Sequence, residues 1–135
     1  MRVDGGCHCG LIRYEAEVDP AAVAICHCTD CQTLSGTAYR TVAPATGFKL
    51  LAGRPKVYVK TAESGNQRQQ AFCAECGTPI FSAPVADAPS IHHLRVGSIR
   101  QRAQLPPRSR YWCRSALEWS SDLAGLPQSA KSPTG

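Results

Sequence analysis

Seven of the eight cysteines fall into three short groups, and that grouping constrains the chain more than any other feature. Cys7-His8-Cys9-Gly10 stands near the start, and Cys26-His27-Cys28-Thr29-Asp30-Cys31 follows it. Cys73-Ala74-Glu75-Cys76-Gly77 lies in the second half. Close pairs of thiols suit metal knuckles. In C-x-x-C a turn carries both sulfurs to one ion, and a following Gly lets the backbone amides curl toward them. In C-x-C on extended chain, both side chains leave the same face. Zinc takes such thiolates in a tetrahedron, closed by four protein ligands in structural sites and left open at one corner in catalytic ones.

Two plus two makes one closed site from Cys7, Cys9, Cys73 and Cys76. That choice leaves Cys26, Cys28 and Cys31 as an open set of three. A competing arrangement joins Cys28-x-x-Cys31 to Cys73-x-x-Cys76 as an ordinary zinc ribbon. Spacing alone leaves both open.

A chain of 135 residues with 43% hydrophobic and 19% charged residues is one ordinary globular domain with a modest core. No run approaches the roughly 18 apolar residues of a membrane span, and no signal-peptide hydrophobic segment opens the sequence. The expectation is a cytoplasmic protein without a membrane partner, in which thiols stay reduced and a disulfide framework is disfavoured. The formal charge is +5. Ionising seven thiols around two zinc ions would lower it to about +2, so basicity is a weak pointer to nucleic acid. Arg95, Arg100, Arg102, Arg108, Arg110 and Arg114 crowd the last third. A solvated basic surface is the plain expectation, and a site for an anionic ligand is the next. A nucleic-acid face comes last, because the few aromatics are not interleaved with these arginines as a stacking platform requires.

From Ile12, apolar residues recur at every second position through Tyr14, Ala16 and Val18, which predicts a half-buried strand. Ala21 to Ile25 reads as a strand feeding the central cysteines, Leu34-Ser35-Gly36 as a turn, and Ala38 to Val42 as strand. Pro44 and Gly47 then punctuate the chain before a further strand at Phe48. Val57 to Lys60, the turn Glu63-Ser64-Gly65-Asn66, and Gln67 to Phe72 predict a β-hairpin. Pro84 to Pro89 reads as a loop. Ile91 to Ile99 reads as strand with His92, Leu94 and Val96 on one face. No helix longer than two or three turns is expected. The class is mainly β, small twisted antiparallel sheets stapled by zinc. One domain over residues 1–126 precedes a loose polar tail, 127–135.

Among the other chemistry-bearing residues, His8 and His27 sit mid-knuckle and should face away from the sulfurs, toward solvent or supporting hydrogen bonds. Asp30 suits a local turn contact, with proton acceptance near the open site as the sharper role. Cys113 reads as a buried structural thiol.

Gly6-Cys7-x-Cys9-Gly10-x-x-Arg13-Tyr14, then Cys26-His27-Cys28-x-x-Cys31-Gln32 with Ser35-Gly36, then Phe72-Cys73-x-x-Cys76-Gly77-Thr78 form an ordered pattern. It resembles the glutathione-dependent formaldehyde-activating enzyme family, which includes centromere protein V, over roughly residues 5 to 119. The resemblance implies the Mss-four-like fold and two zinc ions per chain, a structural one on Cys7, Cys9, Cys73 and Cys76. The second would sit on Cys26, Cys28 and Cys31, the residues it implies for catalysis. It also implies a carbon–sulfur lyase or synthase that joins formaldehyde to glutathione as S-hydroxymethylglutathione, with arginines holding the glutathione carboxylates. Two positions depart from the pattern. Some members carry Arg where this chain has Gln32, and many carry His where it has Arg110; both bear on substrate rather than metal.

Two other functions fit some of the residues. A non-catalytic zinc module could use the basic last third to bind protein or nucleic acid. His92-His93-Leu94 with Arg110 to Ala116 loosely resembles methionine-R-sulfoxide reductases, with Cys113 as nucleophile and zinc on the ribbon pairing; Cys7 and Cys9 are then unexplained.

Overall fold

The computed structural model describes residues 1–133. Its strands are β1 (Arg2–Gly6), β2 (Arg13–Val18), β3 (Ala24–Cys26), β4 (Arg40–Ala52), β5 (Lys56–Thr61), β6 (Gln67–Phe72), β7 (Pro79–Pro84), β8 (His92–Arg95) and β9 (Ser109–Tyr111). One α-helix, α1 (Thr29–Ser35), and short 3-10 turns complete the chain. The chain is mainly β, and the strands join into one network in the order β1-β2-β4-β8-β7-β6-β5. β3 branches from β4 and pairs in parallel with β9; all other ladders are antiparallel.

The alternation from Ile12 is observed: Ile12, Tyr14, Ala16 and Val18 are all buried. They pack with Val3, Ile80, Leu94 and Ile99 into one apolar cluster. The Tyr14 hydroxyl meets the Ser98 hydroxyl at 2.8 Å inside this core, and burial pushes its ionisation up to about 12. Gly5 makes that approach possible. A Cβ there would run into the Ser98 carbonyl and the Tyr14 ring.

The hairpin β5–β6 also forms as expected, with the Ala62 N–H donating to the Asn66 carbonyl at 2.7 Å and Gly65 at φ 90°. Several boundaries differ. Pro44 and Gly47 do not interrupt the chain but lie inside the 13-residue β4. Pro44 falls where β3 has ended at Val42 and β2 begins at Ala45, so no partner on that edge asks for the N–H it lacks. Gly47, at φ 61°, lies in the bulge where Glu15 opposes Lys49 but Glu17 opposes Thr46. The strand expected over Ile91 to Ile99 stops at Arg95, and Val96–Ser98 curls into a 3-10 turn. Pro20–Ala22, capped by Asp19, is likewise a 3-10 turn before β3 begins.

Leu34-Ser35-Gly36 is the end of α1 rather than a free turn. Gly36, at φ 74°, closes the helix by donating its N–H to the Gln32 carbonyl at 2.9 Å. Residues 127–133 are exposed and carry neither helix nor strand. Residues 134–135 of the expected tail lie outside the described residues.

Candidate functional site

The first cysteine group follows β1 and the third follows β6, and the fold brings their sulfurs together. Cys7 and Cys9 lie 3.6 Å apart, Cys9 and Cys73 3.8 Å apart, and all four sulfurs, Cys76 included, fall within 4.8 Å of one another. A tetrahedron with metal–sulfur bonds of ~2.3 Å has edges of about 3.8 Å, so four thiolates at these separations could hold a metal ion. Backbone donors are aimed at the sulfurs as the knuckle geometry requires. The Ile12 amide reaches the Cys7 sulfur at 3.2 Å. The Thr78 hydroxyl, at 3.2 Å, and then the Thr78 amide hold the Cys76 thiol down to about 5. Gly10 and Gly77, at φ 85° and 80°, close the two turns by bonding back to the Cys7 and Cys73 carbonyls.

The middle group forms its own cluster, with the sulfurs of Cys26, Cys28 and Cys31 within 4.8 Å of one another. Cys26 ends β3, Cys28 is the N-cap of α1, and Cys31 sits in its first turn. The Cys28 sulfur accepts the Cys31 amide at 3.2 Å. Donation from the Cys31 thiol, opposed by burial and helped by the Cys28 amide, holds Cys26 down to about 5, while Cys31 is pushed up. Three sulfurs sharing protons in this way are a donor set that a cation can take over. The ribbon pairing is not what the fold assembles: Cys28 and Cys31 lie in a different cluster from Cys73 and Cys76. All eight cysteines are free thiols.

The wall beside the middle cluster is one face of the sheet, set by register. Cys26 opposes Arg40, and Val42, two residues on, opposes Arg95. His93, two residues before Arg95, opposes Ser82. Ser82 in turn opposes Gln70, and Arg68 opposes Lys60. The opposite face carries Leu94 and Phe81 into the core. These polar residues and the three sulfurs line a single cavity of about 390 Å³.

That cavity is strongly basic. Arg40 and Arg95 are only 6% and 8% exposed, and both donate to the Gln70 side-chain oxygen, at 3.2 and 2.7 Å. Arg68 reaches the Ser82 hydroxyl at 3.2 Å and Nδ1 of His93 at 2.9 Å. Burial, then the neighbouring Arg40, pushes Arg95 down to about 9, and burial lowers Arg40 and Arg68 too. Burial, then Arg68 and Arg95, also lowers His93, which disfavours its charged form. Among the described residues no carboxylate lines the cavity, and Nε of Arg40 is buried without a partner.

The sequence expectation of a solvated arginine surface holds for Arg100, Arg102, Arg108, Arg110 and Arg114, which are exposed, and is corrected for Arg95. Arg95 is buried in the cavity, while Arg100 and Arg114 pair with Asp4 and Glu63 at 2.8 and 3.0 Å. Arg40 and Arg68 were not singled out from sequence. Their only signal is a charged residue inside an otherwise strand-like run.

His27 is buried, with its Nε2 accepting from Nε of Arg110 at 3.2 Å and its ring edge toward Tyr39. Arg110 thus braces the central knuckle from behind, and the Gln32 amide does so from α1, donating to the His27 and Ser115 carbonyls at 3.0 Å each. His8 is exposed and its amide donates to the Thr78 hydroxyl at 3.0 Å. Asp30 makes no turn contact of the expected kind; its carboxylate accepts from Nζ of Lys60 at 2.9 Å, tying α1 to β5. Cys113 is exposed rather than buried, and it follows Trp112, which takes a left-handed conformation at φ 57°. The Trp112 indole borders the cavity with Tyr111, and the Arg114 guanidinium lies 5.0 Å over its ring.

Comparison with known proteins agrees with this arrangement. A solved structure of a Rhodobacter sphaeroides protein matches with a TM-score of 0.60 and 19% identity, covering 79% of this chain and 98% of that one. That likeness is one of fold. Residues 2–115 match the family described as glutathione-dependent formaldehyde-activating enzyme, taking in both sulfur clusters and the cavity wall. On that match, the chain belongs to the glutathione-dependent formaldehyde-activating enzyme family.

Proposed function

We propose that the chain is a two-zinc carbon–sulfur lyase or synthase acting on a glutathione adduct, by the type of reaction that joins the glutathione thiol to a carbonyl compound such as formaldehyde to give S-hydroxymethylglutathione. The observation that carries this reading is the three-sulfur cluster opening onto a basic cavity, apart from a complete four-sulfur cluster. Cys7, Cys9, Cys73 and Cys76 would hold a structural zinc. Cys26, Cys28 and Cys31 would hold a second, whose preference for four ligands leaves one position for an exogenous group. Zinc bound there would supply Lewis acidity favouring the thiolate form of a substrate thiol.

The chain's own residues supply the rest. Arg40, Arg68 and Arg95 make the cavity positive, which favours an anionic reactant, while Lys60 is paired with Asp30. Tyr111 and Trp112 line the same cavity as the sulfurs. In the addition, the glutathione sulfur bonds to the carbonyl carbon, and the thiol proton ends on the former carbonyl oxygen. The domain that does this would be residues 1–126, with the tail from 127 dispensable. No helix among the described residues is long and apolar enough to cross a membrane. Eight free thiols suit the reducing cytoplasm, where glutathione is abundant.

The test is zinc per chain for wild type and Cys28→Ser, each with and without glutathione. Two zinc ions falling to one in a folded variant support the reading, as does a change in zinc spectroscopy on adding glutathione. One zinc in the wild type, with the variant unfolded, would make the central cluster structural and remove the basis for catalysis there.

A further inference from the structure

We propose that Arg40, Arg68 and Arg95 form a carboxylate subsite for the electrophile, so that the carbonyl compound this cavity takes is a small 2-oxo acid rather than formaldehyde. The inference deepens the thiol-addition reading of the same cluster and rests on it.

Three guanidiniums share one wall with only neutral partners: Gln70, Ser82 and His93. Formaldehyde is neutral and offers them nothing. Buried cations are costly, Arg40 and Arg95 are almost wholly withdrawn from water, and the cysteine cluster that offsets their charge would give up part of that offset to a bound metal cation. Nε of Arg40 is buried and unbonded, a donor left over for a ligand. A planar carboxylate matches the guanidinium fork in two parallel hydrogen bonds.

Position decides which reactant carries that carboxylate. Arg40 is the direct cross-strand partner of Cys26, its guanidinium feels the charge of the three sulfurs, and all of them line the same cavity, so an anion held on it shares that cavity with the cluster. The carboxylates of glutathione are separated from its sulfur by a peptide unit or more. In a 2-oxo acid the carboxylate is bonded directly to the carbonyl carbon. A group held by the buried Arg40 and Arg95 would therefore present its carbonyl within the cavity that a thiol enters to reach the cluster. The reaction is balanced without a redox partner. The S–H bond breaks, a C–S bond forms, the proton goes to the carbonyl oxygen, and the carboxylate is unchanged.

The test uses metal-replete protein and three probes: oxamate as an unreactive 2-oxo acid mimic, glutathione, and glyoxylate beside formaldehyde. Calorimetry should show oxamate binding that weakens about tenfold or more in Arg95→Met, while glutathione binding holds. Arg68→Met, less buried, serves if Arg95→Met does not fold. Glutathione adduct formation, followed by NMR exchange above the uncatalysed rate, should favour glyoxylate. No oxamate binding, with glutathione affinity lost in the arginine variants, would assign the guanidiniums to the thiol and overturn the inference while leaving thiol addition intact. Oxamate binding without acceleration of either aldehyde would support the carboxylate subsite and sink the thiol-addition reading instead.

Discussion

Cys26 and Arg40 face each other across the β3–β4 ladder, which sets a buried guanidinium beside a metal-type sulfur cluster. The arrangement is poor for stability. Arg40 and Arg95 repel, and burial penalises both. Replacing Arg40 by Met should therefore leave stability unchanged or raise it by about 1 kcal/mol, since Gln70 keeps its bond from Arg95. Phosphate or oxamate should raise the melting temperature of the wild type and not of the variant. A fall of several degrees in anion-free buffer would mean that the guanidinium is structural.

The four-sulfur cluster predicts the opposite behaviour. Cys9 and Cys73 are 64 residues apart in sequence, and Cys73 is fully buried. A structural zinc in such a site can contribute roughly 10 kcal/mol of apparent folding free energy. Cys73→Ser should fail to fold at ordinary temperature, and a strong chelator should unfold the wild type. Circular dichroism with metal analysis separates this from Cys28→Ser, which should lose one metal and stay folded.

Gly5→Ala isolates a backbone contact. The added methyl meets the Ser98 carbonyl and the Tyr14 ring, neither of which can yield within the core. A loss of about 1–3 kcal/mol is expected in urea unfolding. A neutral result would show that β1 can shift away from the 96–98 turn.

What was legible in the sequence was what is local. Ile12, Tyr14, Ala16 and Val18 announce a strand by period alone, and the three cysteine groups announce themselves by spacing. Arg40 and Arg68 could not be found in that way. Their neighbours in the cavity come from β3, β7 and β8, in a register that depends on Pro44 and Gly47 lying inside one continuous strand. Reading those two residues as breaks removed the strand that aligns the site. Cys113 was misjudged as well, and nothing in its neighbours signals the left-handed conformation at Trp112.

The Asp4–Arg100 pair predicts a weak acid dependence. The Arg100 guanidinium, then the Gln101 amide, holds the Asp4 carboxyl down to about 2, against about 3.9 when unfolded. A lowered folded value means that the pair stabilises above the unfolded value and that this is lost as pH falls toward 2. The pair is exposed and screened, so the effect should be small. Asp4→Asn should flatten the stability slope between about pH 4 and pH 2. An unchanged slope would place the acid sensitivity elsewhere.

Trp112 is where stability and function should part. A left-handed conformation costs a non-glycine residue roughly 1–2 kcal/mol, and glycine takes it freely. Against that relief, Trp112→Gly loses the Arg114 contact over the ring, worth about 0.5–1 kcal/mol at an exposed site, and gains unfolded-state freedom of similar size. The terms nearly cancel, so melting should shift little. The indole, however, lines the cavity that also holds the three sulfurs, and removing it should admit more water there. Turnover of a thiol adduct should fall, with the Michaelis constant rising, while zinc content stays at the wild-type value. A variant with full activity would mean that the strained turn serves only to route the chain from β9 to the segment beyond it.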